Sequence, residues 1–275
     1  HYFGCLIEID AMPQTPDWMK RRLEATGWRS VNLLVDITNY VATEVGMPLH
    51  SFDADDLQGD VHVRLSKKGE SIETLDHVKR ALPEGALILS DKAGVFDLLG
   101  IMGGLRSSTK DSTKRIYLHS AAVDPITIRR TIVATGHRTD ASTVYEKGIP
   151  AVVVEQGFAR ALELILELVP GAKIASKMDN AGIVSAPKAI DVSVEHVQKL
   201  LGAEIPEKTM SKILTDLGCS VKKAKDALSV TPPLHRTRDI KSERDIVEEV
   251  GRVYGYENIE EQMPEAELRI PKRDP

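Results

Sequence analysis

Little in the chain allows it to be placed quickly. Of its 275 residues only two are cysteines, Cys5 and Cys219, far apart in sequence. That excludes a disulfide scaffold and a four-cysteine zinc site, and it reads as two buried thiols of a reducing compartment. Aromatic residues make up only 4%, so the core must be mostly aliphatic. No apolar run approaches the roughly 20 residues that span a bilayer, so an integral membrane protein is not expected. Positive charge is not in excess either: 36 Lys and Arg against 41 Asp and Glu leave a net charge of −5. This argues against a basic nucleic-acid wrapper while leaving room for one local RNA contact. The opening His1-Tyr2-Phe3-Gly4 has no initiator Met and lacks the basic-then-apolar order of a signal peptide. The chain is therefore read as a piece of something longer.

What is present is ordinary globular sequence, 42% hydrophobic and 28% charged. The stretch Gly182 to Pro187 reads as a hinge between a first part, 1–185, and a second, 187–262. Residues 263–275, rich in proline and charge, read as a linker. In the first part the patterns predict strands at Tyr2 to Ile9, Val61 to Leu65 and near Ala86 to Leu89. They predict a helix from Asp17 to Thr26, closed by Gly27, and a long buried helix from Val152 to Val169, stopped by Pro170-Gly171. Val31 to Thr43 is largely apolar, and the embedded Asp36, Thr38 and Asn39 must bond the backbone or face a pocket. Helices and strands in this irregular order predict an α+β domain. The second part predicts a helix capped by Ser193 and ended by Gly202, and a second from Pro206 to Leu217. Two short strands follow around a Lys-Asp turn, and a third helix runs from Ser242 to Val253. Two helices and a hairpin resemble a small winged-helix arrangement. The second helix mixes Lys208 and Lys212 with Glu207 and Asp216, which is not a groove-reading face, and DNA is not an expected partner.

Four segments have residues suited to chemistry. In Val45-Gly46-Met47-Pro48-Leu49-His50, a stiffened turn delivers a histidine able to accept or donate near neutral pH. In Gly100-Ile101-Met102-Gly103-Gly104, paired glycines permit either a close backbone approach to a ligand or a tight turn. No Lys-Ser/Thr follows, so this is not a phosphate loop. Gly136 to Ser142 offers small polar residues, with Thr139 or Asp140 either lining a pocket or capping a helix. No Ser/His/Asp or Cys/His nucleophile device stands out. The fourth segment is acidic: on a helix opening at Ser242, Asp245, Glu248 and Glu249 are spaced to share a face, and Asp239 precedes them. Like charges this close need a cation, and oxygen-only donors suit Mg²⁺; the alternative is a solvated acidic face partly offset by Arg244 and Arg252.

Taken together, these segments resemble the β subunit of bacterial phenylalanyl-tRNA synthetases. The resemblance rests on Val35-Asp36-Ile37-Thr38-Asn39-Tyr40-Val41, Met47 to Asp55, Ile101-Met102-Gly103-Gly104 and Thr139-Asp140-Ala141-Ser142. In the second part it rests on Thr231-Pro232-Pro233, Arg238-Asp239-Ile240 and Asp245 to Val250 through Tyr254-Gly255-Tyr256. It implies a B3/B4 editing domain followed by a winged-helix-like B5 domain, in a cytoplasmic enzyme that joins phenylalanine to its tRNA with ATP. It implies an α subunit as partner in an α2β2 assembly, tRNA(Phe) as the nucleic acid, and hydrolysis of tyrosine wrongly attached to that tRNA. An apolar synthetic pocket rejects an added hydroxyl poorly, so such an enzyme needs a second site. The resemblance places His50, Thr139 and His119 in the catalytic set and Arg29, Asn39, Gly104 and Ala141 around the substrate. Asp239, Asp245, Glu248 and Glu249 would ligate a Mg²⁺ shared with the α subunit. The chain shows no ATP-binding synthetase motif and is not expected to aminoacylate alone. One departure matters: His119 stands where the family has a glutamate that binds the tyrosine hydroxyl, and a neutral imidazole is a weaker acceptor than a carboxylate. A non-catalytic tRNA-contact scaffold is the competing reading.

Overall fold

The computed structural model describes residues 1–182, 184, 186–261 and 263. Apart from Met263, the linker expected at 263–275 lies outside the described residues. The chain forms two compact units, 1–185 and 186–275.

In the first unit the order is β1 (Tyr2–Glu8), α1 (Asp17–Ala25), α2 (Leu33–Val45), β2 (His50–Asp53), β3 (His62–Leu65), β4 (Ser71–Glu73), β5 (Lys79–Ala81), β6 (Leu87–Asp91), β7 (Gly94–Leu98) and β8 (Met102–Gly103). Then come β9 (Arg115–Ala121), α3 (Pro125–Thr135), α4 (Asp140–Tyr145), α5 (Ala151–Leu168), β10 (Lys173–Ile174) and β11 (Asp179–Ala181). One antiparallel sheet runs β10-β1-β9-β2, with β11 also on β1; a second runs β3-β6-β7-β8; β4 and β5 form a separate hairpin. This is the α+β class the irregular pattern predicts.

Strand β9 is central to the first sheet and was not among the predicted strands. It is buried along both faces from Ile116 to Ala121, so it lacks the in-out alternation that betrays a half-exposed strand. Ile116 and Leu118 face a helical core with Cys5, Ile7, Leu34, Ile37, Phe158 and Leu164. On the opposite side Tyr117 and Ala121 join Phe52, Leu89, Phe96 and Leu99, a layer contributed by both sheets. The embedded polar residues of α2 divide as the pattern allowed. The fully buried Asp36 carboxylate accepts from Thr15 Oγ1 (2.5 Å), Ser30 Oγ (2.5 Å) and the Val31 amide (2.9 Å), and Thr38 Oγ1 donates to the Val35 carbonyl.

In the second unit the order is β12 (Ile190–Ser193), α6 (Val194–Leu201), α7 (Glu207–Asp216), β13 (Ser220–Ala224), β14 (Ala227–Thr231) and α8 (Glu243–Tyr254). Ser193 accepts from the His196 amide to cap α6, and Gly202 closes it at φ +67°. The hairpin turns at Lys225, φ +49°. The short β12, not predicted, pairs with β14 to give a three-stranded sheet, β12-β14-β13. Its core gathers Val197, Met210, Leu214, Leu228, Ile246 and Val250.

Helix α5 contains one tight approach. A Cβ at Gly157 would lie 2.5 Å from Cβ of Met47, itself fully buried. A Gly→Ala change inside a helix ordinarily stabilises by about 0.5–1 kcal/mol. Here Gly157→Ala should instead destabilise by about 1–3 kcal/mol through overpacking, read as a lower urea midpoint with an unchanged slope.

Candidate functional site

Strand β2 follows α2 through a left-handed turn at Gly46, φ +78°, and pairs antiparallel with β9 so that His50 lies directly opposite His119. Directly paired residues point to the same face, and the two rings lie 6.5 Å apart. Phe52 stacks on the His119 ring at 5.1 Å and Tyr2 at 5.6 Å. Gly103 fits against them because it has no side chain: a Cβ there would sit 2.5 Å from His50 Nε2.

Two adjoining cavities meet at these residues. The larger, about 370 Å³, is lined by α2 through Val35, Thr38, Asn39 and Ala42, by Trp28 at one side, and by Ile101, Thr139 and Ala141 across from them. The smaller, about 70 Å³, lies against Asp97, Leu99, His119 and Tyr145. His50, Met102, Gly103 and Ala141 line both. A mostly apolar cleft of this size with a few convergent polar groups is the usual form of a small-molecule site.

The polar groups are sparse and unsatisfied. His50 Nε2 and both ring nitrogens of His119 are buried with no hydrogen-bond partner. Burial lowers the His50 pKa to about 4. Burial, and then the neighbouring His50 charge, lower that of His119 to about 3. Both are neutral at pH 7. Asp97 is buried as well, and desolvation pushes its carboxyl up to about 8, so at neutral pH it keeps its proton.

The predicted site residues divide among several places. His50, Asn39, Thr139 and Ala141 line the larger cavity, and His119 lines the smaller. Thr139 also caps α4: its hydroxyl accepts from the Ser142 amide and donates to the Ile101 carbonyl at 2.7 Å. A hydroxyl has one proton to give, so Thr139 has none left for a ligand and acts by tying α4 to the Gly100–Gly104 loop. Gly104 lines neither cavity. It sits against β7, where a Cβ would meet the Phe96 carbonyl at 2.3 Å, and it is Gly103 that borders both cavities. Arg29 is exposed and lines neither cavity, although its neighbour Trp28 lines the larger. Asp97 was missed. Its signal is a carboxylate inside Val95-Phe96-Asp97-Leu98-Leu99, the same signal that marked Asp36.

Comparison with known proteins now decides the family. The B3/4 domain profile matches residues 1–170, and the tRNA synthetase B5 domain profile matches 190–256. The chain belongs to the B3/4 domain family. Among curated relatives, the phenylalanine–tRNA ligase beta subunit of Neisseria meningitidis serogroup B is 38% identical over 263 residues, covering 95% of this chain and 33% of that protein. The like-named protein of Psychrobacter arcticus is 38% identical over 272 residues, covering 98% and 34%. The chain thus spans about a third of the length of the curated relatives it matches. A solved N-terminal fragment of the phenylalanyl-tRNA synthetase beta subunit from Pyrococcus horikoshii aligns over 91% of this chain and 69% of its own, at 15% identity and a TM-score of 0.43.

In the B5 domain the four carboxylates expected to ligate Mg²⁺ have other occupations. Glu249 is buried and held by Arg236 at 3.0 Å and Arg252 at 2.5 Å. Asp239 pairs with Arg236 at 2.7 Å. Asp245 folds back over the start of α8 to accept from the Lys241 amide and from the Ser242 amide and hydroxyl. Along α8, Glu248 is exposed while Glu249 is buried. No group of three or more His, Cys, Asp or Glu among the described residues is placed to hold a metal. Within the chain itself their counter-charge is arginine, Arg236 from the turn before α8 and Arg252 on α8.

On unfolding, His50 and His119 take up protons between about pH 6.5 and their depressed values, so they weaken the fold as pH falls through that window. Asp97 releases a proton on unfolding between its ordinary 3.8 and about 8, so it weakens the fold as pH rises. Thermal midpoints across about pH 4.5–8.5 should therefore flatten on the acid side in His119→Phe and on the alkaline side in Asp97→Asn. In the B5 domain, Glu249→Gln should cost about 1.5–3 kcal/mol, the worth of charge-assisted hydrogen bonds. Added Mg²⁺ should not raise the wild-type midpoint.

Proposed function

We propose that this chain is the editing and B5 part of a phenylalanine–tRNA ligase β subunit, and that its B3/4 cavity hydrolyses tyrosine wrongly joined to tRNA(Phe). The observation that carries the reading is His50 Nε2, buried and unpartnered at the junction of two cavities, in a chain 38% identical to proteins so named. Hydrolysis requires a water to attack the aminoacyl ester carbonyl and the terminal ribose hydroxyl to leave with a proton. Neutral His50 can accept a hydrogen bond from that water. With a pKa near 4 it orients the water without storing its proton. Asn39 lines the same cavity and can bond the amino or carbonyl end of the substrate, and Ala141 keeps the space for its ring open. Arg29, exposed beside the Trp28 wall, would meet the tRNA terminus by charge. The α subunit would be the partner, in an α2β2 assembly, and ATP and Mg²⁺ would serve the whole enzyme in joining phenylalanine to tRNA.

The test is deacylation of tyrosyl- and phenylalanyl-tRNA(Phe) by the purified chain. The expected result is faster release of tyrosine, and a loss of at least about tenfold, or 1.4 kcal/mol, in Gly103→Ala, whose methyl would occupy the space at His50 Nε2. No hydrolysis of either ester by the wild type would favour a non-catalytic tRNA-contact scaffold. Undiminished hydrolysis in Gly103→Ala would remove His50 from the reacting centre.

A further inference from the structure

The smaller cavity holds a carboxyl group that the hydrolytic reading leaves unused. Asp97 is 4% exposed and lines this cavity together with His50, His119 and Tyr145. No hydrogen bond to its side chain is formed among the described residues, and burial alone accounts for its displaced pKa. The hydroxyls nearby are committed elsewhere: Tyr145 donates to the Pro48 carbonyl, and Tyr2 and Tyr117 share a bond at 3.0 Å. His119 is equally unpartnered, its ring fixed by stacking on Phe52. Buried polar groups nearly always find partners, and those that do not ask for an explanation. Here a carboxyl and an imidazole, on strands of two different sheets, border one cavity of about 70 Å³, room for one or two waters or a single hydroxyl-bearing ring edge.

We infer that Asp97 and His119 together bind the phenolic hydroxyl of a tyrosyl group whose ester end lies at His50, which makes Asp97 a specificity-determining residue of this pocket. The inference rests on the editing reading and names how its substrate is chosen. A protonated carboxyl can donate and a neutral imidazole can accept, and a phenol O–H can accept from the first and donate to the second. A neutral hydroxyl closes that circuit, whereas an ammonium group has no lone pair for the carboxyl proton. A phenylalanyl ring would fill the same walls and leave both groups unpaired. Sites built to bond a hydroxyl reject the analogue lacking it strongly for that reason.

The test uses amide-linked, non-hydrolysable 3′-tyrosylamino- and 3′-phenylalanylamino-adenosine, with binding measured by calorimetry on the chain. The wild type should prefer the tyrosyl compound by at least about tenfold. Asp97→Ala should bring the two within about twofold, and Asp97→Asn, which keeps a donor of the same shape, should retain most of the preference. His119→Phe, which keeps the stacked ring and loses the acceptor, should abolish the preference as well, and it decides the matter if Asp97→Ala does not fold. Asp97→Ala should also melt no lower than wild type, since it removes a buried group that makes no bond. Equal binding of the two compounds by the wild type, or an undiminished preference in Asp97→Ala, overturns the assignment. Preference without tyrosyl-tRNA hydrolysis would sink the editing reading and leave the assignment standing. Hydrolysis with an unchanged preference in Asp97→Ala would do the reverse.

Discussion

The pairing of β2 with β9 sets everything else at the site. It places His50 opposite His119, and because side chains alternate, a slip of β2 by one residue would turn His50 toward the helical core and away from His119. The register is held from both sides. Strand β9 is also paired along its length with β1, Cys5 against Leu118 and Ile7 against Ile116, which fixes those residues against the helices. With the hydrophobic face pinned, the histidines are forced into the layer between the two sheets, where Phe52 stacks on His119 and meets Phe96 edge-on. Burial there keeps both imidazoles neutral and leaves them without protein partners. The site is thus a polar defect in an apolar layer, imposed by packing on its other side.

Three buried carboxylates show how differently the fold treats the same group. Asp36 gathers three hydrogen bonds and anchors the approach to α2. Glu249 is clasped by two arginines, whose charge holds its pKa down near 2. Asp97 has neither, and its pKa moves the other way. The first two are explained by the structure they stabilise. The third makes no such bond, and the tyrosyl hydroxyl inferred above would supply one. The same distinction separates Thr139, whose hydroxyl is spent on holding a loop, from His50, whose Nε2 is spent on nothing.

Much of this is legible in the sequence. Helix ends marked by Ser193, Gly202, Pro206 and Ser242 fall where capping chemistry puts them, because those signals are local. The resemblance places His50, Asn39 and Ala141 at the substrate, and all three line the larger cavity. What could not be read depends on distant pairing. Strand β9 has no alternation because it is covered on both faces, and the short β12 acquires its identity only from β14. The two glycines of Gly103-Gly104 are indistinguishable in sequence, yet one borders the cavities beside His50 and the other a backbone carbonyl. The counter-charge that Arg236 brings to the acidic run on α8 comes from 13 residues before Glu249, outside the helical spacing by which that run is recognised. Asp97 has a local signal, a carboxyl inside an apolar run with no capping or turn role.

The account's central claim is that one cavity system holds a tyrosyl ester at full length, hydroxyl at the floor and ester at His50. A crystal structure of the chain with the non-hydrolysable tyrosylamino-adenosine bound tests this most directly. The account predicts the phenolic oxygen within hydrogen-bonding distance of both Asp97 and His119, the linking carbonyl beside His50 and Gly103, and the adenosine toward Trp28. A ligand lying wholly in the larger cavity, with Asp97 and His119 untouched, or one seated elsewhere on the molecule, would contradict it.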